Sequence, residues 1–197
     1  QYSLLHMYNP SPRIMANLFL NKYRIESARA TWHDYTDGIY FVTICTEQKI
    51  HYLGEIDTNT ANTAAQMNLS AIGKFTADNL QNISRHYPYA EIPLFSIMPN
   101  HIHAVIVINN DIITHENQQP AMNQRPVTGN SYQHGRLSVV IGGIKSAVSR
   151  WARNQQLPFA WQTRYHDHIV RNQEELNRIA DYIENNVANW NKDELYS

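Results

Sequence analysis

His101 and His103 stand two apart in the run MPNHIHAVIVI (98–108). On a β-strand, side chains two apart share a face. The two imidazoles can therefore converge on one metal ion, while Ile102, Ala104 and Ile106 turn to the core. Taken alone the pattern is weak, because ten histidines occur in the chain and two solvent-facing strand histidines fit it equally well. Tyr182 and Asn186 are four apart in a segment of helical periodicity, which stacks them on one side of that helix. A tyrosine beside a metal is a nucleophile for phosphate. A free phenol ionises near pKa ~10, so little phenolate exists at neutral pH. A metal ion compensates by polarising the phosphoryl oxygens and offsetting charge in the transition state. Asn186 offers that metal a third, neutral oxygen ligand. Most of the 12 tyrosines must be core or surface residues, and Tyr165 is a rival nucleophile. Its neighbour four residues on is Ile169, which cannot ligate a metal, and this favours Tyr182. His166 and His168 form a second His-x-His pair.

The formal net charge of the 197 residues is -1, so a nucleic-acid partner must be argued from local charge. Between Arg136 and Arg171 the basic residues are Arg136, Lys145, Arg150, Arg153, Arg164 and Arg171. Asp167 is the one acidic residue there, so the segment carries +5. Trp151, Trp161 and Tyr165 lie among these charges. Cations with aromatic faces suit the backbone and unstacked bases of a single strand; a solvated helix face with two core tryptophans fits the same residues. The acidic residues Glu174, Glu175, Asp181, Glu184, Asp193 and Glu194 balance the sum.

The elements that must position these groups are legible as hydrophobic patterning. Hydrophobic residues make up 43%, enough for a packed core in one domain. Residues 1–39 read as an irregular arm, 40–190 as the catalytic domain with a polar loop at 109–135, and 191–197 as a tail. Tyr40–Cys45 is a predicted strand. Asn62 to about Tyr87 shows helical spacing through Ala64, Met67, Leu69, Ile72, Phe75, Leu80 and Ile83. Ile92–Met98 and His101–Ile108 are strands joined by a Pro99-Asn100 turn. Leu137 to about Gln156 is a helix weakened early by Gly142-Gly143, and Tyr165–Val170 is a fourth strand. Asn172 with Glu175 three residues on forms a capping-box pattern, opening a helix to Val187 with Leu176, Ile179, Ala180 and Ile183 on one face. This order predicts an α+β fold. It is the ferredoxin-like, split βαβ arrangement: an antiparallel sheet, helices on one face, and an added C-terminal helix carrying the tyrosine. With one cysteine, Cys45, no internal disulfide can form. No apolar run is long enough to span a bilayer, and no signal peptide is visible. The expectation is a cytoplasmic protein without a membrane partner.

Four runs in order then resemble a known family. MPNHIHAVIVI (98–108) is similar to the metal-binding strand of the single-tyrosine HUH transposases, and GGIKSAVSRW (142–151) to their middle helix. WQTRYHDHIVRNQEELNRIADYIENN (161–186) resembles the strand and tyrosine helix of the REP-associated subgroup, and NKYRIESAR (21–29) with YFVTICT (40–46) its entry. The resemblance covers about residues 21–190, leaving the polar loop unmatched. It implies Mg²⁺ or Mn²⁺ held by His101 and His103. It also implies attack by Tyr182 on a DNA phosphate, leaving a 5′-phosphotyrosine and a free 3′-OH. Single-stranded or hairpin DNA is the implied partner, and both monomers and homodimers that share helices occur in the family. His168 is implied to lie on a strand neighbouring the metal strand, as a supporting residue. Insertion-sequence members carry Gln where this chain has Asn186, which is shorter, so water can intervene between it and the metal.

Two other functions fit parts of the pattern. One is a DNA-hairpin-binding module that no longer cuts, which the presence of His101, His103, Tyr182 and Asn186 disfavours. The other is a metal-dependent hydrolase using an activated water. Such sites generally include a carboxylate ligand, and none follows His103 at short spacing before Asp111.

Overall fold

A computed structural model describes residues 38–57, 65–109, 135–193 and 195–196. Its main sheet has four strands: β1 (Gly38–Cys45), β4 (Ala90–Ile97), β5 (His101–Ile108) and β6 (His166–Ile169). The order across the sheet is β4-β5-β1-β6, with every pairing antiparallel. Two short strands, β2 (Gly54–Asp57) and β3 (Gln66–Leu69), form a separate ribbon. The helices are α1 (Ala71–Gln81), α2 (Arg136–Asn154) and α3 (Gln173–Asn185). The fold is α+β with the split βαβ order, as expected. The polar loop lies almost wholly outside the described residues, as does the N-terminal arm up to residue 37.

The sheet divides the molecule into two cores. Tyr40, Val42 and Ile44 of β1 and Ile102, Ala104, Ile106 and Ile108 of β5 point to one face. There they meet Ile72 and Leu80 of α1 and Leu137, Ile141, Ile144 and Val148 of α2. The alternate residues Ile39, Val105 and Val107 point to the other face, where Leu176 and Ile183 of α3 cover them. Burying each such aliphatic side chain contributes roughly 1.5–3 kcal/mol, so α3 is held in a fixed rotation. Helices thus cover both faces; among the described residues, α3 is the helix on the side of the histidine pair. The period-2 pattern of β5 explains why His101 and His103 must share that side with Val105 and Val107.

The helical reading from Asn62 to about Tyr87, as one long helix or two short ones, is corrected in its first part. Met67 and Leu69 belong to β3, paired with Ile56 and Gly54, and Ala64 lies outside the described residues. Ser70 is the true N-cap of α1, its hydroxyl accepting the Gly73 N–H at 3.0 Å. The helix ends at Gln81, and Ile83–Arg85 continues as a 3₁₀ turn. Gly143 also has a packing reason: a Cβ there would collide with the Tyr87 hydroxyl.

Candidate metal centre and its tyrosine

His101 is fully buried and His103 nearly so, and their ring centroids are 4.5 Å apart. Each ring is oriented by a neighbour. His101 Nδ1 lies 2.7 Å from Asn100 Oδ1, while the Asn100 amide nitrogen donates to Leu195 O at 2.9 Å. His103 Nδ1 lies 2.9 Å from Thr43 Oγ1, its cross-strand partner on β1. Phe41, two residues before Thr43, stacks on the His103 ring at 5.3 Å. Burial pushes His101 down to about 3, and the adjacent His103 adds to the fall against the pull of Asp193. Burial likewise pushes His103 down to about 4, opposed by Asp193. Both imidazoles are therefore neutral at pH 7, the state a metal requires.

Helix α3 brings the tyrosine to this pair. The Asn172 side chain accepts the Glu175 N–H at 2.9 Å. Glu175 reaches back one residue beyond the expected box, accepting the Arg171 N–H at 2.8 Å. Burial raises the Glu175 pKa, but that bond and the His168 contact outweigh it and hold the carboxyl below its ordinary range. Three turns later Tyr182 OH lies 3.2 Å from His103 Nε2 and donates to Asp193 Oδ2 at 3.3 Å. The residue is nonetheless 45% exposed, so its hydroxyl is open to an incoming molecule. A shallow groove of about 280 Å³ opens beside it, lined by Phe41, His168, Glu175, Arg178 and Ile179. Asn186 is the C-cap of α3 and is buried. Its Nδ2 donates to Asp193 Oδ2 at 3.3 Å, and its Oδ1 is buried without a hydrogen-bond partner among the described residues.

Asp193 is the site residue that sequence reasoning missed. It falls in the segment read as a tail, ninety residues from the histidines, and no local spacing points to it. The 3₁₀ turn Trp190–Lys192 carries it in, with Trp190 against the His101 ring at 5.9 Å. One ligand atom from each of His101, His103 and Asp193 lies within 4.8 Å of the other two. These donors fit a small divalent cation: two neutral imidazoles, a carboxylate, and a buried His101 Nε2 with no hydrogen-bond partner among the described residues.

The other expected residues are placed as follows. His168 is not beside the metal strand, because β1 lies between β6 and β5; it contacts Glu175 at 2.7 Å instead. Tyr165 packs on the opposite core and bonds Ser138 Oγ at 2.7 Å. Helix α2 also lies on that opposite face. The Arg136 guanidinium sits 4.9 Å over the Tyr89 ring, and Lys145 Nζ donates to Gln162 O at 2.6 Å. Arg150, Arg153, Arg164 and Arg171 are exposed. Trp151 stacks on Phe75 at 4.7 Å and Trp161 packs against Phe159 at 4.7 Å, so both tryptophans serve the core.

Fold and site together define an α+β protein with a buried histidine pair and carboxylate able to bind a metal, next to an accessible tyrosine. No protein-family profile matches the chain. Over 174 residues it is 33% identical to an uncharacterised protein of Haemophilus influenzae, covering 86% of this chain and 92% of that protein. The chain belongs to the family of that protein. Among solved structures it is similar to a REP-associated tyrosine transposase bound to a REP hairpin, at 16% identity and a TM-score of 0.48. That match covers 81% of this chain and 72% of the other. It is also similar to a transposase-like protein of Deinococcus radiodurans, at 14% identity and a TM-score of 0.37, over 82% and 97% of the two chains. Likeness at this level carries no functional argument. No described helix is long and apolar enough to cross a membrane.

Proposed function

We propose that this chain is a metal-dependent, single-tyrosine nuclease and strand transferase of the HUH transposase type, acting on single-stranded or hairpin DNA. The observation that carries the reading is the Tyr182 hydroxyl 3.2 Å from His103 Nε2, on a helix that covers the histidine face of the sheet. His101 and His103 would hold a divalent ion, Mg²⁺ or Mn²⁺, which would supply charge neutralisation at the phosphoryl oxygens. Asn100 and Thr43 fix the two imidazoles, and Leu176 and Ile183 fix the rotation that aims Tyr182. The Tyr182 oxygen attacks phosphorus and the P–O3′ bond breaks. The phenol loses its proton as the new bond forms, and the departing 3′ oxygen takes one up. The product is a 5′-phosphotyrosine and a free 3′-OH, and the retained phosphoester lets the strands rejoin without a nucleotide cofactor. Arg150, Arg153, Arg164 and Arg171 supply backbone contacts in this reading, with Arg136 and Lys145 partly committed within the fold.

Incubation with 5′- and 3′-labelled single-stranded oligonucleotides from the chain's own genomic flanks tests this. The expected product is a denaturant-resistant protein–DNA adduct that EDTA abolishes. Cleavage unaffected by EDTA would remove the metal from the mechanism. Asp193 favours a second reading, since it supplies the carboxylate that a metal-activated water hydrolase needs. That enzyme would cut in a metal-dependent way and leave no adduct.

A further inference from the structure

We infer that Asp193 is the third protein ligand of the metal and that Asn186 is a positioning residue that holds its carboxylate. This inference rests on the metal-dependent reading above. The Asn100 amide nitrogen is committed as donor to Leu195 O, so its oxygen faces His101 Nδ1 at 2.7 Å as an acceptor. His101 Nδ1 must then carry the proton, and Nε2 presents a bare lone pair. That lone pair is buried and faces Asp193 Oδ2 at 3.8 Å. Two electron-rich atoms facing each other in a dry site repel, and a buried acceptor left unpaired costs about 1–3 kcal/mol. A cation between them turns the repulsion into two bonds. The donors of one small cation at ~2.0–2.2 Å stand roughly 3–4 Å apart; His101 Nε2 and Asp193 Oδ2 are 3.8 Å apart, and the three convergent atoms all lie within 4.8 Å of one another.

Asn186 fits the other role. Its Nδ2 donates to Asp193 Oδ2, while Asp193 Oδ1 accepts the Leu195 N–H at 2.7 Å. The carboxylate is thereby held from both ends, as a ligand is by its outer partners. Between a neutral amide and a carboxylate, a hard divalent cation binds the carboxylate more strongly. The segment after α3 is therefore a wall of the metal centre. Trp190 seats it on His101, and Leu195 O ties it to Asn100.

Calorimetric titration of the full chain with Mn²⁺, in the absence of DNA, tests the assignment independently of cleavage. The wild type should bind one Mn²⁺. Asp193→Asn should weaken binding more than 100-fold, and Asn186→Ala about 10-fold, the range for an outer partner. Asp193→Glu, which keeps the carboxylate, should recover affinity that Asp193→Asn cannot. Metal-free melting of each variant separates lost ligation from lost folding. Wild-type affinity in Asp193→Asn, or a larger loss in Asn186→Ala than in Asp193→Asn, would make Asn186 the ligand and overturn the inference. A wild type that takes up no Mn²⁺ would remove the metal reading and this inference together. Mn²⁺ binding without any covalent DNA adduct would sink only the transposase reading and leave the ligand assignment standing.

Discussion

Tyr182 and Tyr165 differ by one structural fact: which face of the sheet they serve. Tyr182 stands at the histidine pair, and Tyr165 is bonded to Ser138 in the opposite core. Tyr182→Phe removes only the hydroxyl, so folding and DNA affinity should change little while adduct formation falls by at least 10³-fold, the scale of a lost nucleophile. Tyr165→Phe should retain the adduct, and the reverse outcome in a gel assay would move the nucleophile to Tyr165, just before β6. The histidines make a separate prediction. Both folded-state values, about 3 and about 4, lie below the ordinary 6.5. The folded state therefore binds fewer protons than the unfolded chain below that pH. The sign follows: their contribution is complete above about pH 6.5 and is lost progressively as pH falls toward 4. The urea midpoint of metal-free protein should decline between pH 7 and 5, and more steeply than that of His101→Gln/His103→Gln. Equal slopes would show that the imidazoles are solvated. At this scale the histidine pair, Tyr182 and Asn186 are readable because each pair lies within one element or at its cap, where spacing alone sets direction. Asp193 is not, because its approach depends on a chain reversal after α3 that no residue spacing encodes.

The strands β1, β4, β5 and β6 and the helices α2 and α3 emerge within a few residues of where period and caps put them. Gln66–Leu69 carries Met67 and Leu69, whose spacing also suits a helix running on into Ile72, and a four-residue strand gives too little alternation to compete. Only its pairing with Gly54–Asp57 identifies it, and that ribbon is a tertiary contact. Gly54 itself, at φ 147°, abuts the backbone of Asn68, where any side chain would collide. Helix α3 was the best resolved because its cap is chemical as well as periodic. Asn172→Ala removes the acceptor for the Glu175 N–H and should cost about 1 kcal/mol. Urea denaturation measures this directly. Tyr182 lies three turns away, so adduct formation should persist in the folded fraction. An activity loss larger than the loss of folded protein would show that the first turn of α3 contacts substrate.

At the scale of the whole molecule, the candidate site and the basic helix lie on opposite faces of one sheet. Their heights along it can be related. Lys145 bonds the carbonyls of Gln162 and Thr163, and this segment bridges Thr46 through Trp161, next to Cys45, the cross-strand partner of His101. The Lys145 turn of α2 is thus level with the His101 end of the sheet, and Arg150 and Arg153 follow one to two turns beyond it. DNA bound at Tyr182 meets those arginines only if it passes around that end. Length then becomes the discriminating variable. An oligonucleotide of a few residues centred on the cleaved phosphate covers the site alone. One bearing a hairpin or a longer flank is long enough to reach α2. Reversing charge with Arg150→Glu/Arg153→Glu should leave affinity for the short oligonucleotide nearly unchanged. For the long one it should weaken binding and lower the slope of log K against log salt by up to about 1.4, since each lost phosphate contact on a single strand removes ~0.7. Fluorescence anisotropy at several salt concentrations reads both quantities. An unchanged slope with the long DNA would confine the interface to the α3 face, where Arg171 and Arg178 would have to carry it. An equal loss for both lengths would place α2 at the cleaved phosphate itself, which the sheet between them forbids unless a second subunit brings its own α2 to the site.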